Sequence, residues 1–130
     1  MKITTRSEYG LMAMYYLKEN YGKSPVAITQ MVADLGLSQT YLEQLFRLLK
    51  NVGIVESFRG KEGGYKLAKN PSEISVGQII RALEGDIELS SKCKDGGHTC
   101  SQVECVTKGV FMKIDMVVGK LIDNLYLSDI

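Results

Sequence analysis

Residues 28–50 read ITQMVADLGLSQTYLEQLFRLLK, and this stretch decides the fold. Apolar side chains recur at helical spacing on both sides of Gly36, which predicts two short amphipathic helices joined by a tight turn. Counted from Ile28, Val32 falls where two such helices touch. Leu42 falls on the inner face of the second helix. The stretch therefore has the plan of a helix-turn-helix unit, in which the second helix enters the major groove of DNA.

The second of these helices is expected to follow a capping Ser38 and to stop at Gly53. Its predicted inward residues are Leu42, Leu45, Leu49 and Val52. Its outward positions carry hydrogen-bonding and basic side chains of the kind that read base edges and phosphates, although a merely solvated face is the alternative. The candidate DNA-contacting residues here are Ser38, Gln39, Thr40, Tyr41, Glu43, Gln44, Arg47 and Lys50.

Glu43 has two interpretations. An acidic side chain that faces DNA repels phosphate, but it can accept a hydrogen bond from cytosine and so reject other bases. Alternatively, Glu43 pairs with Arg47, which lies one helical turn later. The sequence leaves both roles open.

A β-hairpin is predicted directly after the second helix. Residues 54–58 are β-branched and aromatic and residues 65–68 alternate, so both segments are expected to be strands. The turn between them holds three glycines, which would let the backbone approach the wall of a DNA groove. A helix-turn-helix with such a hairpin is a winged helix, and the candidate DNA-contacting residues of the wing are Arg59, Gly60 and Lys61.

Three further helices flank this unit. The first is expected to begin near Thr5, with a Thr5–Glu8 capping box, and to end at Tyr21-Gly22. Another opens with a capping box at Ser75 and Gln78 and closes at Gly85. The longest is predicted for residues 102–125. Between 110 and 122, nine of thirteen residues are apolar, more than one small domain can cover, so this helix is expected to bury its surplus in a dimer.

The composition fits one small globular domain, or one domain with an appendage. The chain has 130 residues, 45% apolar and 24% charged. Residues 1–80 hold ten Lys and Arg against seven Asp and Glu, whereas residues 81–130 hold six against eight. The basic excess therefore lies with the predicted winged helix. The predicted division is a DNA-binding domain over 1–85, a cysteine-bearing segment over 86–104 and a dimerisation helix with its tail over 102–130.

Several classes of protein are disfavoured. No apolar run is long enough to span a bilayer, and no secretory signal opens the chain, so a cytoplasmic location without membrane contact is expected. No phosphate-binding loop and no Ser/His/Asp set is present, so the chain is not expected to be an enzyme.

Three cysteines, Cys93, Cys100 and Cys105, lie on or beside one segment and can converge on one centre. Cys105 falls in the first turn of the long helix, where the helix dipole favours the thiolate that binds metals. Thiolates are the usual ligands of iron–sulfur clusters. Zinc held by the three cysteines and His98 is the main competitor, and a bare redox thiol is the third interpretation.

Several short motifs together resemble the IscR/NsrR/CymR family of winged-helix regulators, with IscR as the most similar type. They keep their spacing from residue 1 to about residue 120: 1–5 (MKITT), 9–11 (YGL), 37–38 (LS), 41–44 (YLEQ), 51–55 (NVGIV), 59–60 (RG), 63–65 (GGY) and 79–85 (IIRALEG). The resemblance implies a homodimer on a palindromic DNA operator, with the last long helix as the dimer element. For members with three cysteines before that helix, it implies an iron–sulfur cluster.

The fourth ligand of such a cluster departs from the family pattern. IscR-type proteins have six-residue steps between the cysteines and a histidine three residues after the last. Here the steps are seven and five, and Lys108 occupies the histidine position. Glu8 matches an acidic position that resembles the partner-subunit ligand of NsrR-type proteins. The alternatives are His98, and then an exogenous ligand or an open iron site. The IscR-like sequence favours [2Fe–2S], whereas an acidic fourth ligand would favour [4Fe–4S]; we expect the former.

The expected function is that of a dimeric transcriptional repressor whose operator affinity depends on an iron–sulfur cluster, and which governs genes of cluster biogenesis. The alternatives are a regulator without a cluster that senses thiol or redox state, a zinc-bound regulator, and a winged helix used only for protein–protein contact.

Overall fold

A computed structural model of the chain describes the backbone of residues 3–85 and 102–130, and the side chains of 3–85 and 106–130. Its helices and strands follow the chain in the order α1 (Thr5–Glu19), α2 (Ile28–Leu35), α3 (Gln39–Asn51), β1 (Val55–Phe58), β2 (Gly64–Leu67), a 3-10 turn (Pro71–Glu73), α4 (Val76–Glu84), α5 (Gln102–Asp123) and a second 3-10 turn (Leu127–Asp129). The predicted fold class, mainly helical with a small β wing, is confirmed.

The wing is a two-stranded antiparallel sheet. Val55 pairs with Leu67 at its base and Phe58 pairs with Gly64 near its tip. Both strands lie within one residue of the predicted bounds. An isolated bridge joins Val26 to Tyr65, with N–O distances of 2.9 Å in both directions. The wing is therefore attached to the chain that leads into α2.

One hydrophobic core holds the first four helices and the wing together. It draws from α1, α2, α3, both strands and α4, whose buried apolar side chains meet in the same interior. Its fully buried large side chains include Met14, Met31, Leu42, Phe46 and Ile79. A second, smaller cluster of Val76, Ile80 and Ile122, with Val118 beside it, joins α4 to α5.

The chain returns to the main core after α5. The Val76 amide donates to the Leu125 carbonyl at 2.7 Å, and the Leu127 amide donates to the Ile74 carbonyl at 2.8 Å. Leu127 is 0% exposed and belongs to the main cluster. Arg81 of α4 and Asp123 at the end of α5 form an ion pair. The end of α5 is thus fastened to the winged helix.

The predicted caps of α3 and α4 are confirmed. Ser38 Oγ accepts from the Tyr41 amide at 3.2 Å. At α4, Ser75 and Gln78 form the full reciprocal capping box. Gly36 ends α2 in the left-handed region at φ 68°, as the helix-turn-helix plan requires.

The predicted cap of α1 is wrong. Thr4, not Thr5, is the N-cap, and its hydroxyl accepts from the Arg6 amide at 3.2 Å. The Thr4 amide, which a capping box would bind through a nearby acid, donates instead to Glu84 at 3.2 Å. Glu8 therefore does not close a capping box.

Two other boundary predictions are also wrong. Helix α1 ends at Glu19, with Asn20 as C-cap, before Tyr21-Gly22. Val52 was expected to point inward, but it is 51% exposed, because α3 ends at Asn51 and the chain turns through Gly53 at φ 79°.

Among the described residues, none of the helices is both long and apolar enough to cross a membrane.

Candidate nucleic-acid interface

Helix α3 presents one polar face to solvent. Leu42, Leu45, Phe46 and Leu49 are buried against the rest of the winged helix, which fixes the rotation of α3 about its axis. The opposite face is therefore exposed. The predicted contact residues on it that are exposed are Ser38, Gln39, Thr40, Glu43, Gln44, Arg47 and Lys50.

Tyr41 is the exception among the predicted contacts of α3. Its side chain is half-buried, and its ring meets the Tyr9 ring edge-on, with centroids 6.0 Å apart and planes at 88°. Such an edge-to-face pair is a favourable aromatic arrangement. Tyr41 therefore joins α3 to α1 in addition to lying near the exposed face.

The partner of Glu43 is not the one that the sequence suggested. The Gln39 side-chain amide donates to the Glu43 carboxylate at 3.1 Å, one turn toward the start of α3. Arg47 is exposed, and it forms no ion pair with any residue that the structure describes. A cation without an internal partner on an outward helix face is suited to bind an anionic ligand.

The wing carries Arg59, Gly60 and Lys61 at its exposed tip. Its other two glycines, Gly63 and Gly64, are required by the packing of the hairpin. A Cβ at Gly63 would lie 2.4 Å from the Phe58 carbonyl oxygen. A Cβ at Gly64 would lie 2.1 Å from the Val26 carbonyl oxygen. These two glycines therefore serve the packing of the hairpin itself; their predicted role in the approach to a groove wall stays a prediction.

Helix α3 and the wing are held to each other. Lys50 Nζ donates to Ser57 Oγ at 2.7 Å, and the Phe46 ring stacks on the Tyr65 ring with centroids 4.3 Å apart. Burial, and then the negative charge of Glu43, raise the pKa of Tyr65 above its usual value. Ser57 and Tyr65, which face each other in the strand register, were not among the residues predicted from the sequence. Their alternation in a short hairpin after α3 was the available signal.

The predicted cluster ligands are mostly outside the described residues. Cys93, His98 and Cys100 lie in the segment that the structure does not describe. The backbone of Cys105 lies in the first turn of α5, as predicted, and its side chain is outside the description. No group of three His, Cys, Asp or Glu that could hold a metal occurs within 3–85 and 106–130.

Glu8 lies in the first turn of α1 with an exposed side chain. Within the described part of the chain, its carboxylate has no hydrogen-bond or ion-pair partner. It borders a surface groove of 470 Å³ whose other walls are mainly apolar. The residues lining that groove are Glu8, Leu11, Met12, Tyr15, Tyr16, Leu35 and Ile130.

An exposed polar helix, joined rigidly to a basic-tipped wing, defines a winged helix-turn-helix protein of the DNA-binding class. The family Rrf2, described as an iron-dependent transcriptional regulator, matches residues 3–130. The chain belongs to the Rrf2 family of transcriptional regulators.

Similar proteins cover the whole chain. It is 35% identical to the HTH-type transcriptional regulator CymR of Bacillus subtilis, over all of this chain and 89% of CymR. It is 31% identical to the HTH-type transcriptional regulator IscR of Vibrio vulnificus, over all of this chain and 77% of that protein.

Solved structures agree. The structure of CymR, the global cysteine regulator of B. subtilis, has a TM-score of 0.83 at 35% identity and covers 99% of this chain and 95% of its own. That of T. potens IscR has a TM-score of 0.77 at 36% identity and covers 99% of this chain and 85% of its own. The relatives are regulators of the CymR and IscR types, and this chain is a regulator of that type.

Proposed function

We propose that two copies of the chain bind a palindromic operator and repress transcription, with α3 in the major groove and the wing beside it. The observation that carries this proposal is the exposed polar face of α3, tied to the wing through Lys50 and Ser57. Together with the stacking of Phe46 on Tyr65, that hydrogen bond joins the helix to the wing, as a reader of adjacent groove segments needs.

Within this proposal the exposed cations divide into two roles. Arg47 on α3 and Arg59 at the wing tip read base edges or groove width, whereas Lys50 and Lys61 contact phosphates. The remaining predicted positions complete the contact surface: Ser38, Gln39, Thr40, Tyr41, Glu43, Gln44 and Gly60. Glu43, oriented by Gln39, rejects bases that offer no donor to its carboxylate.

Operator binding tests these roles. Arg47→Ala and Arg59→Ala should each weaken binding to the specific site by about 1–3 kcal/mol. Glu43→Ala should reduce the difference in affinity between the operator and its single-base variants, and this effect should exceed the loss of affinity for the operator itself. Lys69→Ala removes an exposed lysine just beyond the base of the wing, outside the proposed contact surface. It makes the same charge change as a lysine contact variant and should leave affinity unchanged. If the wild type bound operator and random DNA with equal affinity, the proposal that the chain represses transcription from a specific operator would be refuted.

The homodimer is supported by the outward face of α5. Its exposed apolar side chains are Val106, Val110, Phe111, Met112, Ile114, Met116, Val117 and Leu121, each between 41% and 67% exposed. Soluble monomers rarely expose so many contiguous large apolar side chains. A symmetric pair of α5 helices would cover them and set two α3 helices at half-sites about one turn of DNA apart.

We further propose that Cys93, Cys100 and Cys105 hold an iron–sulfur cluster, with the partner subunit's Glu8 as the fourth ligand. The similarity to IscR favours the [2Fe–2S] type, and an acidic fourth ligand favours [4Fe–4S]; of the two we propose the former. The donor set fits: three thiolates suit such a cluster, and the helical first turn around Cys105 favours ionisation of a thiol. Glu8 fits as well, because its carboxylate is exposed and is not occupied by a cap. The genes controlled would then be those of cluster biogenesis.

A second candidate is favoured by one comparison. The CymR that resembles this chain at 35% identity is described as a global cysteine regulator. In that alternative the same cysteines respond to thiol or redox state without a cluster.

Absorption spectra of anaerobically purified protein decide between the two. A visible chromophore that is lost in Cys93→Ala, Cys100→Ala and Cys105→Ala supports the cluster. Glu8→Ala should then alter the spectrum or the cluster lifetime, with His98→Ala as its control. The reverse result would assign the fourth ligand to His98. A colourless protein would refute the iron–sulfur cluster, and stoichiometric zinc in it would identify the bound metal. Either result would leave the proposal of operator binding unaffected.

A further inference from the structure

The start of α1 and the end of α4 cap each other. The Thr4 amide and the Ser7 hydroxyl donate to the Glu84 carboxylate at 3.2 and 2.9 Å, and the Thr4 hydroxyl also donates to it. In the opposite direction, Arg6 Nη1 donates to the Leu83 carbonyl at 3.2 Å. Glu84 of α4 therefore accepts hydrogen bonds from the start of α1, and Arg6 of α1 donates one to a carbonyl at the end of α4.

The charges explain why this pairing is needed. Arg6 is a cation in the first turn of α1, and Glu84 is an anion in the last turn of α4, so each opposes the dipole of its own helix. Each complements the dipole of the other helix. Two residues that destabilise their own helices thus become favourable only where α1 and α4 meet.

The contact is also tightly packed. Ser7 is 3% exposed, and a Cβ at Gly10 would lie 2.1 Å from Leu83 Cδ1, so the two helices approach as closely as a glycine allows. Burial alone would raise the pKa of Glu84, but the hydrogen bonds from Thr4 and Ser7 outweigh it and hold that pKa below its usual value. The carboxylate is therefore bound in its ionised form.

The contact of Thr4 and Ser7 with Glu84 is called the α1–α4 joint. It connects two parts of the chain that, in the proposed function, both contribute cluster ligands. Glu84 is the last residue of α4, and the chain continues through Gly85 into the segment that carries Cys93 and Cys100. Ser7 is the neighbour of Glu8 in the first turn of α1.

We propose that Glu84 is a positioning residue, which holds the first turn of α1, and with it Glu8, in fixed register with the chain that enters the cysteine segment. Its regulatory meaning rests on the proposed function. In a dimer, a change at the cysteines would reach the DNA-binding half of each subunit through this joint.

Two measurements test the proposal. The first is amide hydrogen exchange of residues 4–9 in the metal-free protein. Glu84→Ala should accelerate it by about tenfold or more, because a charge-assisted cap is lost, and Glu84→Gln should have a smaller effect. Glu73→Ala, which removes an exposed acid on the 3-10 turn, is the control and should change nothing. Unchanged exchange in Glu84→Ala would overturn the joint.

The second measurement is the ratio of operator affinities with and without the cluster. Glu84→Gln, which keeps the side-chain shape, should move this ratio toward one. Equal loss of affinity in both forms would show a purely structural role and overturn the positioning role. A wild type that binds no cluster would refute the proposed function, whereas the exchange experiment would still decide whether Glu84 holds α1.

Discussion

Leu121→Ala tests whether α5 is a dimer interface without disturbing the fold of one subunit. Leu121 is 65% exposed, so truncating it costs a single subunit little. Its neighbour Ile122 is 8% exposed and packs against Val76 and Ile80 of α4. The two adjacent residues thus separate assembly from folding.

The magnitude follows from the exposed fraction. Leucine to alanine removes about three carbons, each worth ~0.8 kcal/mol when fully buried. Scaled by the exposed fraction of Leu121, burial in a partner contributes about 1.5 kcal/mol per subunit. A symmetric interface contains the residue twice, so Leu121→Ala should raise the dimer dissociation constant about 100-fold.

Sedimentation equilibrium over a range of protein concentrations measures that constant, and far-ultraviolet circular dichroism checks that the helices remain. Ile122→Ala should instead lower the free energy of unfolding by about 2–5 kcal/mol, because it opens a cavity between α4 and α5. A wild type that is monomeric at micromolar concentration would refute the reasoning. So would a Leu121→Ala protein that dimerises as tightly as the wild type.

Three further predictions concern single contacts. Ser75→Ala removes the capping box of α4 and should lower the free energy of unfolding by about 1 kcal/mol in urea titrations; an unchanged midpoint would contradict it. Lys50→Ala should reduce the slope of log affinity against log salt by about one unit, whereas Ser57→Ala should weaken operator binding without changing that slope. The pKa of Glu84 in the folded protein lies below 4.5, so its ionised form stabilises the fold above pH 4.5. This contribution is lost as the pH falls through the lowered pKa. Glu84→Gln should therefore flatten the decline in the free energy of unfolding below pH 4.5.

The sequence was sufficient wherever the deciding partner lies within four residues. The caps at Ser38 and Ser75 and the left-handed turn at Gly36 depend on immediate neighbours, and all three were predicted. The exposed face of α3 followed from its apolar period. Such local signals were enough for the winged-helix fold class.

It was insufficient where the partner lies far along the chain. The Thr4 amide binds Glu84, and no pattern near Thr4 reveals that contact. The apolar run of α5 likewise does not show which residues face α4, so Leu121 and Ile122 were indistinguishable until the packing was known.

Within the site, spacing left equivalent choices. Glu43 has one candidate partner a turn before it and one a turn after it, and the structure selects Gln39 over Arg47. In the wing, Gly63 packs against the Phe58 backbone and Gly64 against the Val26 backbone, and the composition of the turn does not reveal these contacts.

The burial of Leu127 in the main core has a consequence for how the protein is made. A ribosome delivers the chain from its first residue, and domains tend to fold as they emerge. The helix-turn-helix is complete once residue 53 has been synthesised. The core beneath it, however, still lacks one of its fully buried side chains, Leu127, until residue 127 has been added. A nascent or prematurely terminated chain would therefore carry its recognition helix on an incomplete interior. We expect a chain truncated before residue 127 to be less stable than the full chain, because a buried core side chain is missing.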